Sequence, residues 1–333
     1  MSTPVQSRGR RALARLLVAA ALLLPFAASI PDRAGAQARW IVKLGTAAFA
    51  RSPMAELLER VAAPLEAEHP GRFWVKRFAD GALAREQPAL ARVAAGEVHG
   101  YAATYDELVE ALPDAAALNA PFAFDNDRDA DAVMRKEGSA ALEGALAAKG
   151  VRLVAVAPCE SRVLFSRTRA LGKPQDASGL SVARGKNPAY DGLASALSMT
   201  TADDPAKADV HDATLTQLAA SGALLGGGHL TLTDHALECG VVVLSQRWIG
   251  GLPQQMQKTV GKLPRDLGEE ATKAQRAARA GILELAKKHG VEITTLDAKD
   301  RRAFVEATRQ ARASLSGEPG SVARKLTLAA QAK

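Results

Sequence analysis

The chain has 333 residues, a formal net charge of +7 and only two cysteines. Five Arg and one Asp lie in residues 1–38, which leaves the rest of the chain near +3. This weak charge, without a dense basic run interleaved with aromatics, gives no support for nucleic-acid binding. The part after residue 38 exceeds the usual size of one compact core, so two lobes are expected.

Residues 1–38 are predicted to be a signal peptide. Several Arg in the stretch 8–15 precede an apolar run over residues 16–30, and small residues allow cleavage near Ala36 or Ala38. Sec export is expected, and a pair of adjacent Arg leaves the twin-arginine route open. No later run is long enough to span a bilayer, so the sequence predicts an exported, periplasmic protein.

The first part of the exported chain alternates strand and helix patterns. In order, these are a strand at 40–47, a helix that begins at Ser52-Pro53, a strand at 73–78, a helix at 86–95 and a strand at 98–103. Alternating apolar residues mark the strands, and apolar residues at helical spacing mark the helices. This order predicts an α/β fold with a mostly parallel sheet and helices on both faces.

The remainder continues this theme and becomes mostly helical. The predicted elements are a helix at 140–149, strands at 151–157, 162–166 and 180–183, a helix at 189–197, a strand region at 229–244, helices at 255–260 and 269–289, a strand at 291–295 and a helix at 300–314. Residues 317–333 are predicted to form a loosely docked tail. Since no Pro- or Ser-rich linker separates domains, strands are expected to cross between the lobes more than once.

Two runs resemble known ligand-binding motifs, but each lacks residues that its motif requires. Residues 125–131 resemble the start of a calcium loop, but the sixth-position Gly is missing and Lys136 stands where the loop needs Glu. Residues 222–229 are glycine-rich without the Lys and the Ser or Thr of a phosphate loop. No nucleophile, acid–base pair or metal-ligand spacing can be named, so we expect no enzyme, no cofactor and no metal site.

Two cysteines, Cys159 and Cys239, each lie beside an apolar run. Export places them where disulfides survive. If the two runs are neighbouring strands, the residues are close enough for a disulfide bond; otherwise both are buried free thiols. The sequence leaves both alternatives open.

Three short runs in a fixed order carry a family resemblance. They are Gly-Ala-Leu-Ala-Arg-Glu at 81–86, Pro-Phe-Ala-Phe at 121–124 and Leu-Thr-Leu-Thr-Asp-His-Ala at 230–236, followed by Trp248. Together they resemble the solute receptor of a TRAP (tripartite ATP-independent periplasmic) transporter. Such a receptor captures a small organic acid and hands it to a membrane permease, so both partners are implied here.

The resemblance also implies a fold and its division into lobes. The expected fold is the two-lobed, periplasmic-binding-protein-like α/β fold, with mixed, mostly parallel sheets and the ligand cleft between the lobes. Lobe 1 is expected to comprise residues 39–159 with part of 246–290. Lobe 2 is expected to comprise residues 160–245 with part of 291–333.

Two Arg and one Asn are the implied ligand-binding residues. Arg162 opens an Arg-x-x-x-Ser strand, and Arg184 precedes Asn187 at the spacing of the family. A guanidinium matches a carboxylate with paired N–H donors, so both Arg are expected to hold the acid while Asn187 hydrogen-bonds it. Arg184 comes one residue late after Gly179, which predicts a bulge; the alternative places Ala183 at the Arg position.

Glu86, Tyr105 and Phe49 complete the implied site. Glu86 is expected to meet a polar or cationic part of the solute; the alternative is an acid that stabilises a helix start. Tyr105 and Phe49 are expected to form apolar wall, with ordinary packing as the alternative.

One segment departs from the family. Leu225 stands where the family has Asp, and the stretch that walls one side of the cleft is missing between Gly226 and His229. An alternative function therefore stays open: a divergent, non-transporting protein of the receptor fold that acts as a ligand sensor or an interaction module.

Overall fold

The computed structural model describes residues 39–50, 52–84, 87–124, 126–183, 187–202, 204–263 and 267–331. The predicted signal peptide, Glu86 and Arg184 lie outside these residues. The boundaries expected for the two lobes stay a prediction.

Within the described residues, nine strands form one mixed sheet. The strands are β1 Trp40–Thr46, β2 Phe73–Phe78, β3 Gly100–Ala103, β4 Val151–Ser166, β5 Ser181–Ala183, β6 Thr200–Thr201, β7 Val210–Thr214, β8 Gly228–Ser245 and β9 Val291–Thr295. Their order is β2-β1-β3-β8-β4-β7-β5-β6, with β9 beside β8. The pairs β1–β3, β5–β6, β5–β7 and β8–β9 are parallel, whereas β8 pairs antiparallel with β3 and β4, and β4 with β7.

The described residues also form α-helices. They are α1 Pro53–Glu68, α2 Ala89–Ala95, α3 Tyr105–Ala111, α4 Asp127–Val133, α5 Ser139–Ala147, α6 Pro188–Ala196, α7 Leu215–Ala220, α8 Gln246–Gly251, α9 Gln254–Gly261, α10 Leu267–Lys288, α11 Ala298–Ala307, α12 Arg309–Ser314 and α13 Val322–Gln331. As predicted, Ser52 caps α1, with its Oγ accepting from the Ala55 N–H at 3.2 Å. Among the described residues, no helix is long and apolar enough to cross a membrane.

The two longest strands, β4 and β8, connect two halves of the sheet. The first half-sheet contains β1–β3 with residues 151–156 of β4 and 241–245 of β8. The second contains β5–β7 and β9 with the opposite ends, residues 162–166 and 228–232. The β4–β8 register breaks between these ends, at Val156/Cys159, and once within each end, at Leu153/Ala155 and Arg162/Leu164. Strands β4 and β8 therefore both cross from one half of the sheet to the other.

Apolar clusters support both half-sheets. Val151 and Val241 join the cluster under the first, and Val163 and Leu230 join one under the second. Each of the two long strands therefore contributes core residues at both of its ends.

The C-terminal segment differs from the expectation of a loosely docked tail. Helix α13 buries Ala323, Leu326 and Ala329 in the core of the first half-sheet. The Asp114 carboxylate accepts from the Val322 N–H at 3.1 Å, at the start of this helix. The Ala- and Lys-rich composition gave little indication of this amphipathic helix, because the residues of its apolar face are mostly small.

Candidate functional site

A cavity of about 430 Å³ lies where the two half-sheets meet, and is called here the junction cavity. Its lining includes Phe49, which follows β1, Tyr105, which begins α3, and Gln217 of α7. Glu160 of β4 and Glu238 of β8 also contribute to its lining. The volume suits a small organic molecule.

The predicted wall residues Phe49 and Tyr105 are therefore brought together. Phe49 is 44% exposed, whereas Tyr105 is fully buried and its hydroxyl donates to the Ala115 carbonyl. Burial raises the pKa of Tyr105 well above its ordinary value, so its hydroxyl stays protonated. Contact between a ligand and either residue stays a prediction, as do the roles of Glu86 and Arg184 outside the described residues.

Asn187 is the N-cap of α6, where its Oδ1 accepts from the Ala189 N–H at 3.0 Å. The residue is 1% exposed, and its Nδ2 makes no well-formed hydrogen bond among the residues that the structure describes; its side chain has only a weak interaction with the Tyr105 hydroxyl. A buried donor that is poorly paired is costly, so it is suited to receive a ligand acceptor. The predicted ligand contact of Asn187 stays a prediction.

Arg162 is the centre of a buried polar network. Its Nε donates to Asp212 Oδ1 and its Nη1 to Glu238 Oε2, both at 2.8 Å. Its Nη2 donates to the Asp212 carbonyl, and its guanidinium carbon lies 4.2 Å from the centre of the Tyr190 ring. The guanidinium is thus engaged within the protein on two edges and one face. Direct contact of Arg162 with a ligand stays a prediction.

Strand β7 supplies Asp212, and a bulge in β8 supplies His235, which lies beside Asp212. Across that bulge, His235 places Nε2 at 3.2 Å from Asp212 Oδ1 and Nδ1 at 2.7 Å from Thr233 Oγ1. Burial raises the pKa of Asp212, but Arg162 and His235 outweigh burial and bring it down to about 2. Asp212 therefore stays ionised and balances the positive charge of the guanidinium.

Glu160 and Glu238 face each other across the β4–β8 pair. Gln217 Nε2 donates to both oxygens of Glu238, at 3.0 and 3.1 Å, and the Thr216 N–H donates to Glu160 Oε1 at 2.9 Å. Burial is the main cause that raises the pKa of Glu238 to about 7; Asp106 and Glu160 add to it, and Arg162 opposes it. Sequence reasoning missed both Glu238 and Asp212.

A raised carboxyl pKa predicts a pH-dependent stability. Between pH 5 and 7, folded Glu238 keeps a proton that the unfolded chain releases, so this residue makes the free energy of unfolding fall as pH rises. Glu238→Gln mimics the protonated form. Relative to wild type, the variant should gain stability from pH 5 to pH 7, with a slope of at most about 1.4 kcal/mol per pH unit.

Urea unfolding at pH 5, 6, 7 and 8 measures this difference. The exposed Glu318 gives a matched control, because Glu318→Gln removes a carboxylate away from the network. A wild-type-to-variant difference that stays constant with pH for Glu238→Gln would contradict the assignment.

A family model described as bacterial extracellular solute-binding protein, family 7, matches residues 44–202 and 228–316. The chain belongs to this family. The resemblance to TRAP solute receptors is therefore confirmed at the level of the family. The unmatched interval 203–227 contains Leu225, where the sequence departs from the family pattern.

Solved structures of TRAP periplasmic solute-binding proteins share the fold of this family 7 protein. One from Sulfitobacter sp. NAS-14.1, with bound β-D-galacturonate, has 16% identity and a TM-score of 0.79, covering 88% of this chain and 100% of its own. One from Shewanella oneidensis, with bound succinate, has 16% identity and a TM-score of 0.76, covering 89% and 99%.

A sugar acid binding protein from Advenella mimigardefordensis, in complex with galactonate, has 20% identity and a TM-score of 0.77, covering 89% and 99%. These likenesses confirm the predicted two-lobed α/β fold. No curated protein sequence matches the chain.

Proposed function

We propose that this family 7 protein captures a small organic acid in the periplasm and delivers it to a TRAP-type membrane permease. The observation that carries this proposal is the junction cavity, which lies where two half-sheets of a solute-receptor fold meet. Structural relatives hold galacturonate, galactonate or succinate, which supports a carboxylate as the ligand. Closure of two lobes around the ligand is the expected way to trap it.

In this proposal, Arg184 holds the ligand carboxylate and Asn187 donates through its buried Nδ2. Phe49 and Tyr105 supply apolar wall, and Glu86 meets a polar part of the solute. Each of these roles comes from the family resemblance.

Arg162 has a different place in the proposed site. Its side chain is 4% exposed and bonds Glu238 and Asp212, so it holds Glu238 in position from behind the cavity lining. Export follows from a signal peptide cleaved near Ala36 or Ala38. The protein binds and releases its solute without chemical change.

A ligand screen tests the proposed function. The purified protein is heated with C3–C6 carboxylic, sugar and amino acids, one at a time. A ligand at a hundred times its Kd should stabilise the folded state by about 2.7 kcal/mol, which raises the Tm by several degrees. A cooperative melting transition that no compound shifts would favour the alternative, a non-transporting receptor-fold protein.

Arg184→Ala should abolish ligand binding with little loss of stability. Removing a buried charge partner of a carboxylate costs on the order of 2–5 kcal/mol, which corresponds to one to three or more decades in Kd. Isothermal titration with any acid found in the screen measures the loss, and Arg302→Ala, at an exposed position of α11, is the control. Equal affinity of Arg184→Ala and wild type would remove Arg184 from the site.

A further inference from the structure

We infer that the junction cavity recognises a protonated amino group of its solute through Glu160 and Glu238. The substrate class is then an organic acid that also carries an amine. This inference rests on the proposed solute-binding function and deepens it.

The orientation of Arg162 is the first step of the argument. Three of its five N–H donors and one face are engaged by Asp212, Glu238 and Tyr190. At this position the cavity lining therefore contains the Glu238 carboxylate, while the guanidinium lies behind it. The group presented to a solute is an acceptor of hydrogen bonds with negative charge.

The strand register gives the second step. Glu160 and Glu238 are directly opposite on neighbouring antiparallel strands, and both line the cavity. Like charges directly opposite each other destabilise a sheet. Arg162 compensates Glu238 from behind the lining, which leaves the charge of Glu160 for a cation on the cavity side. Among the described lining residues there is no Lys, Arg or His. Among the residues that the structure describes, the donors to Glu160 are neutral: the Thr216 N–H and Gln275 Nε2.

Hydrogen-bonding capacity gives the third step. Gln275 Oε1 belongs to the same lining and is buried without a partner among the described residues. Together with free lone pairs on Glu160 and Glu238, it makes three acceptors for the three N–H donors of an ammonium group. A hydroxyl offers one donor and no charge, so it satisfies this set less well.

Charge decides between an amine and a hydroxyl on the solute. A hydrogen bond between two charged groups is about twice as strong as a neutral one, and the low dielectric of a closed cleft increases the difference. The amino member of a matched pair of acids should bind at least about ten times more tightly than the hydroxy member. Burial is the main cause that raises the pKa of Glu238 to about 7, and Asp106 and Glu160 add to it, so amine binding should strengthen from pH 6 to pH 8 as this carboxyl group ionises.

Isothermal titration of the purified protein at pH 8 tests this inference with three matched pairs. The pairs are aspartate and malate, glutamate and 2-hydroxyglutarate, and glucosaminate and gluconate. Tighter binding of the amino member in the pair that fits the cavity supports the inference. Equal or tighter binding of the hydroxy member overturns it and leaves the proposed function intact. If none of the six binds but another acid of the ligand screen does, the inference fails and the proposed function stands; if no acid of that screen binds to protein that melts cooperatively, both fail.

Two variants locate the effect. Glu160→Gln and Glu238→Gln should each lower the ratio of amino-acid to hydroxy-acid affinity by about tenfold. A ratio of affinities is insensitive to a general loss of stability. Glu318→Gln, which removes an exposed carboxylate outside the cavity, should leave the ratio unchanged. If Glu238→Gln instead tightens the binding of hydroxy acids, Glu238 competes with the ligand for Arg162, and the inference is overturned.

Discussion

Arg162→Met should lower the free energy of unfolding by about 3–5 kcal/mol, because it leaves buried carboxylates without their cation. Asp212 and Glu238 both bond the guanidinium, and Asp212 is 2% exposed at its side chain. The loss belongs to the uncompensated charge, since Met replaces most of the apolar stem of Arg. Urea unfolding at pH 7.5 measures it.

The same substitution in a neutral background separates charge from packing. In a chain that already carries Asp212→Asn and Glu238→Gln, no buried carboxylate depends on Arg162. Arg162→Met should then cost much less, because the interaction energy within one network is not additive. An equal loss in both backgrounds would show that packing against Tyr190 causes it. Arg302→Ala, on the surface of α11, should change stability by less than about 0.5 kcal/mol.

Much of the fold was predictable because local patterns carry it. Alternating apolar residues marked most strands, and Ser52-Pro53 marked the start of α1. The predicted helix at 300–314 is divided into α11 and α12 at Thr308, whose buried hydroxyl donates to the Phe304 carbonyl. A Thr hydroxyl that bonds the carbonyl four residues earlier often bends a helix, but an apolar spacing pattern does not show whether it will do so.

The site was less predictable than the fold because it depends on strand register. Strand β7 was not predicted, since its five residues include a His and an Asp. That strand delivers Asp212 to Arg162 across 50 positions of sequence, and β8 delivers Glu238 across 76. The burial pattern of β7 places Asp212 on its buried face beside Val210 and Thr214. A polar residue at a buried strand position was the one available signal.

The pairing of the two cysteines also depends on which strands are neighbours, and this could not be predicted from the sequence. The sequence allowed either a disulfide or two free thiols, because nothing local reports which strands are neighbours. In the structure, Cys159 and Cys239 are opposite each other in the β4–β8 pair and form a disulfide bond. The bond joins the two long strands in the region between the half-sheets, one residue before Glu160 and one after Glu238.

Loss of this disulfide should lower the free energy of unfolding by about 4 kcal/mol. The bond closes a loop between residues 80 positions apart, and a cross-link of that length removes much conformational entropy from the unfolded chain. The Cys159→Ala, Cys239→Ala double variant measures the loss by urea unfolding. Thiol titration of unfolded, unreduced wild type should find no free thiol, and two free thiols would contradict the bond.

Reduction of the wild type provides the matched comparison. If the effect comes from the cross-link, wild type in excess reductant should lose about as much stability as the double variant in oxidising buffer. A double variant that is clearly less stable than reduced wild type would instead assign the loss to packing, since both cysteines are buried. The slope of unfolding free energy against urea adds a second readout, because an uncrosslinked unfolded chain exposes more surface and raises this slope. An unchanged slope together with unchanged stability would mean that the bond does not restrict the unfolded chain, and would contradict this prediction.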